Sequence, residues 1–157
     1  MTEPGTSELK TTLHADLHTS MREHDKLRSE TLRMALSAIT NEEVSGTTAR
    51  QLSDDEVLKV VAKEAKKRKE SSAAFTGAGR PELAAVEEAE LVVLEAYLPA
   101  QLGDDELQAI VADAVESTGA TGMAQMGLVM KAATAQVAGR ADGGRVAAVV
   151  KQVLSAR

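Results

Sequence analysis

Apolar residues recur at helical spacing along almost the whole chain, and no stretch shows the strict alternation of a half-buried strand. Leu9, Leu13, Leu17 and Met21 step by four and predict a first helix. Asp25 is placed to cap a second helix carrying Leu27, Leu32, Leu36 and Ile39, which should end near Gly46. Thr47 to Leu52 reads as a loop. Ser53-Asp54-Asp55-Glu56 has the form of a capping box, in which the serine oxygen and the glutamate carboxylate each accept from a free backbone N–H. It opens a long third helix running to about Phe75. Gly77-Ala78-Gly79 breaks that helix. Pro81 suits the first turn of a fourth, where no N–H is needed, and Leu83, Val86, Leu94 and Tyr97 mark its apolar side.

Pro99 stops the fourth helix and is the expected domain boundary. Beyond it, Asp104 is expected to cap a fifth helix with Leu107, Ile110, Val111 and Val115. Thr118 to Gly122 forms a turn. Met123, Met126 and Met130 line a sixth helix, with core packing as their expected role; Gly139 ends it. Asp142 caps a seventh, whose stripe is Val146, Val149, Val150, Val153 and Leu154. The fold expected is all-α: an N-terminal four-helix domain over residues 1–98 and a small three-helix domain over 99–157. The second has fewer than about 60 residues and would be marginal alone.

Composition narrows the chemistry. The 157 residues include no cysteine, so disulfides, thiolate metal sites and a cysteine nucleophile are excluded. No apolar run approaches the ~20 residues of a membrane span. Met1 to Lys10 is polar, without the apolar core of a signal peptide, and a cytoplasmic location is expected. Phe75 and Tyr97 are the only aromatic residues, which leaves almost nothing for bases to stack on. The net charge of −6 means that any nucleic-acid contact must use a local patch.

No catalytic set emerges, and no metal or cofactor site is expected. His14 and His18 lie one helical turn apart, but a full site needs a third ligand, and solvated histidines on an amphipathic helix are the expectation. Gly77-Ala78-Gly79-Arg80 follows a helix and lacks the Gly-Lys-Ser/Thr ending of a phosphate loop, so it reads as a helix end and a tight turn. Lys59, Lys63 and Lys66 share one face of the third helix. A solvated face is the first reading; with Lys67 they form a secondary basic patch for RNA or an acidic partner.

Arg68 is different. It falls on the apolar side of the third helix with Val57, Val61, Ala65 and Phe75, as Glu90 does on the fourth. The two helices should pack antiparallel about the Ala78 turn, which places Arg68 and Glu90 at one level. Either charge alone in a core is costly, so a structural ion pair is expected, with Glu87 as the fallback partner. In the C-terminal part, Lys131, Arg140 and Arg145 gather around the connection between the last two helices, with Lys151 further on. Arg145 sits in the first turn of the last helix, where free N–H groups favour anions. These four are the candidate nucleic-acid contacts, although this part holds five basic and six acidic residues, net −1.

The ordered set Lys66-Lys67-Arg68-Lys69-Glu70-Ser71, Gly79-Arg80-Pro81-Glu82-Leu83-Ala84, Glu90-Leu91 and Tyr97-Leu98-Pro99-Ala100-Gln101-Leu102 resembles the YqeY family. So do Met126-Gly127-Leu128-Val129-Met130-Lys131 and Gly139-Arg140-Ala141-Asp142-Gly143. The resemblance implies that the C-terminal domain is similar to the tail of GatB, a subunit of the glutamine-dependent amidotransferase that acts on misacylated tRNA. There the tail helps hold tRNA and the chemistry lies elsewhere. The matching residues here are Gly127, Met130, Lys131, Gly139, Arg140, Ala141 and Asp142. Leu128 stands where many relatives have lysine, which removes one phosphate contact.

The function implied is a non-catalytic accessory module that binds tRNA. The alternative is a helical protein–protein adaptor with a partner in translation or metabolism. A further alternative is a component of a carbon–nitrogen ligase with glutamine as amido-N-donor, the label carried by free-standing relatives. No residue here supplies an amidase nucleophile or an ATP site, so no independent enzymatic activity is expected.

Overall fold

A computed structural model describes residues 7–157. The polar opening segment, Met1 to Lys10, lies outside the described residues as far as Thr6. Among the described residues the regular elements are all helical. They form two compact units, one ending at Leu98 and the other spanning Pro99–Arg157.

The first unit holds α1 (Glu8–Arg22), α2 (Lys26–Glu43), α3 (Asp54–Gly77) and α4 (Pro81–Glu95). Their starts follow local chemistry. Ser7 caps α1 by accepting from the Lys10 N–H, and Asp25 caps α2 by accepting from the Arg28 N–H. Ser53 and Glu56 form the reciprocal box at α3, and Pro81 occupies the first turn of α4. Gly79, at φ +73, makes the left-handed turn between α3 and α4. α2 stops at Glu43, short of Gly46, because the loop after it is tied back. The Arg50 N–H donates to the Glu43 carbonyl at 3.0 Å, and Lys10 Nζ lies 2.7 Å from the Glu43 carboxylate.

The core of this unit comprises Leu13, Leu32, Leu36, Ile39, Leu52, Val57, Val61, Ala65 and Leu94, with Leu9, Leu17, Leu91 and Tyr97 packed at its edge. Two expected members are exposed instead. Met21 is 44% exposed and Val86 47% exposed. A strict step of four drifts by about 40° each time on a helix of 3.6 residues per turn, so Met21 has rotated off the face set by Leu13. On α4 the inward face is set by Ala84, Leu91 and Leu94, and Val86 lies to one side of it.

The second unit holds α5 (Asp104–Thr118), a 3-10 turn at Met123–Gln125, α6 (Met126–Val137) and α7 (Gly143–Ser155). Its core is Leu102, Leu107, Val111, Ala114, Val115, Val129, Ala133, Val137, Val146, Val150 and Leu154. Met126 and Met130 pack against this core, but Met123, in the 3-10 turn, is 42% exposed. Two expected ends shift by one residue. Gly103, not Asp104, is the N-cap of α5, and Ala138 takes the left-handed position that closes α6, followed by Gly139 at φ +80. Asp142 holds the N-cap position of α7 in extended backbone.

Candidate functional site

Arg140 and Arg145 meet on one residue, Leu102. The Leu102 N–H donates to the Arg140 carbonyl at 2.8 Å, and Arg145 Nη2 donates to the Leu102 carbonyl at 3.1 Å. The segment that leads into α5 is thereby clasped to the connection between α6 and α7. Arg145 Nη2 also donates to Asp104 Oδ1 at 2.9 Å. Asp104 is the first residue of α5, one past the Gly103 N-cap, and its exposed carboxylate faces this guanidinium.

The Arg140 side chain turns back on its own helix. Its Nε donates to the Val137 carbonyl at 3.0 Å and its Nη2 to the Gln136 carbonyl at 2.8 Å. A cation here closes two of the free carbonyls at the end of α6 and meets the negative end of the helix dipole. A guanidinium has five N–H donors. These bonds use two on each arginine, so both groups are held in place with three donors outside them.

The expected four-residue patch is therefore only partly assembled. The Arg140 backbone and the Arg145 side chain come together at Leu102. Lys131 is exposed on α6, on the side away from Val129 and Ala133, some six residues or about 9 Å of helix before its end. Lys151 is exposed eight residues into α7, about 12 Å from its start. The first turn of α7 already has an anion beside it. A Cβ on Gly144 would sit 3.3 Å from Asp142 Oδ2, which places that carboxylate against the helix start. Sequence reasoning missed this, and it missed that both arginines would be drawn to backbone carbonyls. The Gly-Arg-Ala-Asp string shows the charges; the carbonyl of Leu102 arrives only through the fold.

In the first unit Arg68 is 6% exposed. Its Nε lies 2.7 Å from Glu90 Oε2 and 3.8 Å from Glu87 Oε2, and its Nη1 lies 3.4 Å from Glu64 Oε2. Sequence spacing pointed to Glu90 and Glu87; Glu64, one turn before Arg68 on its own helix, was overlooked. The Met34 sulfur completes the shell at 3.5 Å from Nη2. Lys59, Lys63, Lys66 and Lys67 are exposed on α3, with Lys67 Nζ 3.1 Å from Glu64 Oε1.

Two further links join distant parts of this unit. The Ser7 hydroxyl and the Leu9 N–H both donate to Asp54 Oδ1, which holds its carboxyl below the usual range, the serine bond being the larger cause. The Tyr97 hydroxyl donates to Asp16 Oδ2 at 2.5 Å; burial first, then this bond, raises its pKa.

His14, His18 and His24 are all exposed, and no group of three or more metal-ligating side chains is found among the described residues. A depression of ≈ 630 Å³ between α5 and α7 is lined by Gln108, Ala109, Ala112, Gln152 and Val153, with Asp105 and Arg157 as its ionisable residues. No helix among the described residues is long and apolar enough to cross a membrane.

No curated protein matches the chain. All of the elements from α1 to α7, with the Arg68 cluster and the Leu102 clasp, fall in or border residues 10–154, the span matched by the family model described as Yqey-like protein, and the chain accordingly belongs to that family.

Proposed function

We propose that the protein is a non-catalytic accessory module whose two units act as separate domains, 1–98 and 99–157, the second holding tRNA by its phosphate backbone. The observation that carries this reading is the Leu102 clasp. It holds the Arg145 guanidinium and anchors the Arg140 backbone, while the Gln136 and Val137 carbonyls hold the Arg140 guanidinium, so both groups are fixed before any ligand arrives, which lowers the entropy lost on binding. Lys131 and Lys151 add outlying cations, and the similarity to the GatB tail names tRNA as the ligand. Asp104 and Asp142 oppose the arginines, so binding is expected to be weak and confined to a few phosphates.

Titration of labelled tRNA at low salt tests this. Affinity should fall as salt rises, with a log–log slope of about −2 to −3 for three or so phosphate contacts. The triple variant Lys131→Glu, Arg140→Glu, Arg145→Glu should lose most of the affinity. Unchanged binding by that variant, with helicity retained, would overturn the assignment.

A second reading, a protein–protein adaptor, is favoured by one observation: the outer side of α4 is apolar and exposed. In that reading any carbon–nitrogen ligase chemistry with glutamine as donor belongs to partner subunits. The adaptor reading predicts a protein that co-purifies with the full chain.

A further inference from the structure

Arg68 is buried, yet one of its nitrogens is met by a weak acceptor. Nε and Nη1 reach Glu90 and Glu64, at 2.7 and 3.4 Å. Among the described residues the acceptor at Nη2 is the Met34 sulfur, at 3.5 Å. A thioether accepts poorly, and a buried cation depends on good hydrogen bonds to repay its lost hydration. The surrounding charge narrows what could serve Nη2 better. Glu64, Glu87 and Glu90 already stand against Arg68 and Lys67, three carboxylates to two cations. A further carboxylate or a phosphate would be repelled. A neutral oxygen would not.

Met34 can carry such an oxygen itself. It is 51% exposed, so a small oxidant reaches its side chain from solvent. Met21 and Met123, 44% and 42% exposed, are open to the same oxidant. The Met123 sulfur, however, faces the exposed Ser155 hydroxyl at 3.8 Å and not a buried cation.

We propose that Met34 is a modification site, where peroxide converts the thioether to a sulfoxide whose oxygen accepts from Arg68 Nη2 and ties α2 to the α3–α4 hairpin. The sulfur lone pair attacks one oxygen of hydrogen peroxide; an S–O bond forms and the O–O bond breaks. The departing hydroxide takes the proton of the transferred oxygen and leaves as water. The sulfur is oxidised by two electrons and the peroxide is reduced by two. A sulfoxide usually loosens a protein, because a polar group is forced into apolar surroundings. Here the new oxygen is half in solvent and meets a donor that lacks a strong acceptor.

The test treats the full chain with dilute hydrogen peroxide, and peptide mass spectrometry reads each methionine. Denaturation followed in the near ultraviolet reads the first unit, which holds Phe75 and Tyr97. Oxidation should lower the unfolding equilibrium constant about tenfold, the scale of one hydrogen bond to a charged group. Methionine sulfoxide reductase should reverse the gain. Met34→Leu, an apolar swap of similar volume, should abolish it while Met21 and Met123 still oxidise. In nitrogen-15 spectra the Arg68 guanidinium signal should shift on oxidation of the wild type and stay in place in Met34→Leu. Met34 left reduced while Met21 and Met123 oxidise overturns the proposal. So does stability unchanged or lowered by the Met34 sulfoxide, an equal gain in Met34→Leu, or an Arg68 signal that does not move.

Discussion

The two units bury different kinds of side chain. In the N-terminal unit the interior includes Ser20, Ser29, Thr31, Glu43, Glu64, Arg68 and Ser72; in the C-terminal unit the buried side chains are Leu, Val and Ala. The polar groups of the first are matched to one another. Ser20 and Ser29 lie 2.8 Å apart, Glu43 accepts from Lys10 and from the Leu52 N–H, and Arg68 has its carboxylates. Such pairs fix how far one helix slides along the next, because a one-turn slip would strand a buried charge. The second unit instead turns Arg140 and Arg145, at the connection between its last two helices, onto backbone carbonyls. Buried charge sets the register of the α3–α4 hairpin; small apolar side chains fill the smaller unit.

The largest expected effect breaks this contrast at Arg68. Arg68→Met leaves Glu64 and Glu90 without their buried partner and should cost about 3–5 kcal/mol. Chemical denaturation followed by near-ultraviolet circular dichroism checks it, since Phe75 and Tyr97, the only aromatic residues, both lie in the first unit. Adding Glu90→Leu to Arg68→Met should restore part of the loss by removing one stranded charge. A smaller change is expected in the second unit. Arg145→Ala removes the bond to the Leu102 carbonyl and should cost about 1 kcal/mol, read in the far ultraviolet with the near-ultraviolet transition unmoved.

The smallest effects sharpen the comparison through pH. Asp54 has a lowered carboxyl pKa from the Ser7 hydroxyl, so its contribution is present above the usual carboxylate range and is lost as pH falls through the lowered value. Tyr97 has a raised pKa from burial and its bond to Asp16. Its contribution is present below the ordinary tyrosine value, about 10, and is lost as pH rises through the raised one. The near-ultraviolet melting temperature should decline at both extremes, and Tyr97→Phe should flatten the alkaline limb.

Much of the fold was legible because local chemistry governs helix starts. Asp25, the Ser53–Glu56 box and Pro81 act within one turn of themselves. The all-helical class followed from the period of the apolar residues, and Arg68 stood out as a charge on the wrong side of a helix. The misplacements share a cause. Met21 and Val86 were assigned by spacing alone, and steps of four drift forward around a helix while steps of three drift back. Asp104 looked like a cap, but α5 begins on it with Gly103 at the N-cap, and the sequence does not show Arg145, 41 residues later, arriving beside it. The bonds from Ser7 to Asp54 and from Tyr97 to Asp16, over 47 and 81 residues, carry no local signal at all. At the candidate site, the charges could be read, but the carbonyls that orient them could not.

The Leu102 clasp also has a mechanical meaning. Its N–H and its C=O are both taken by the connection between the last two helices. A pull on the chain from the side of Pro99 therefore reaches these bonds before it reaches the first turn of α5. The load passes across to the connection between α6 and α7 rather than peeling one helix from its neighbours. The short stretch before α5 behaves as a strain relief, and tension must release a single residue before it can unravel any helix.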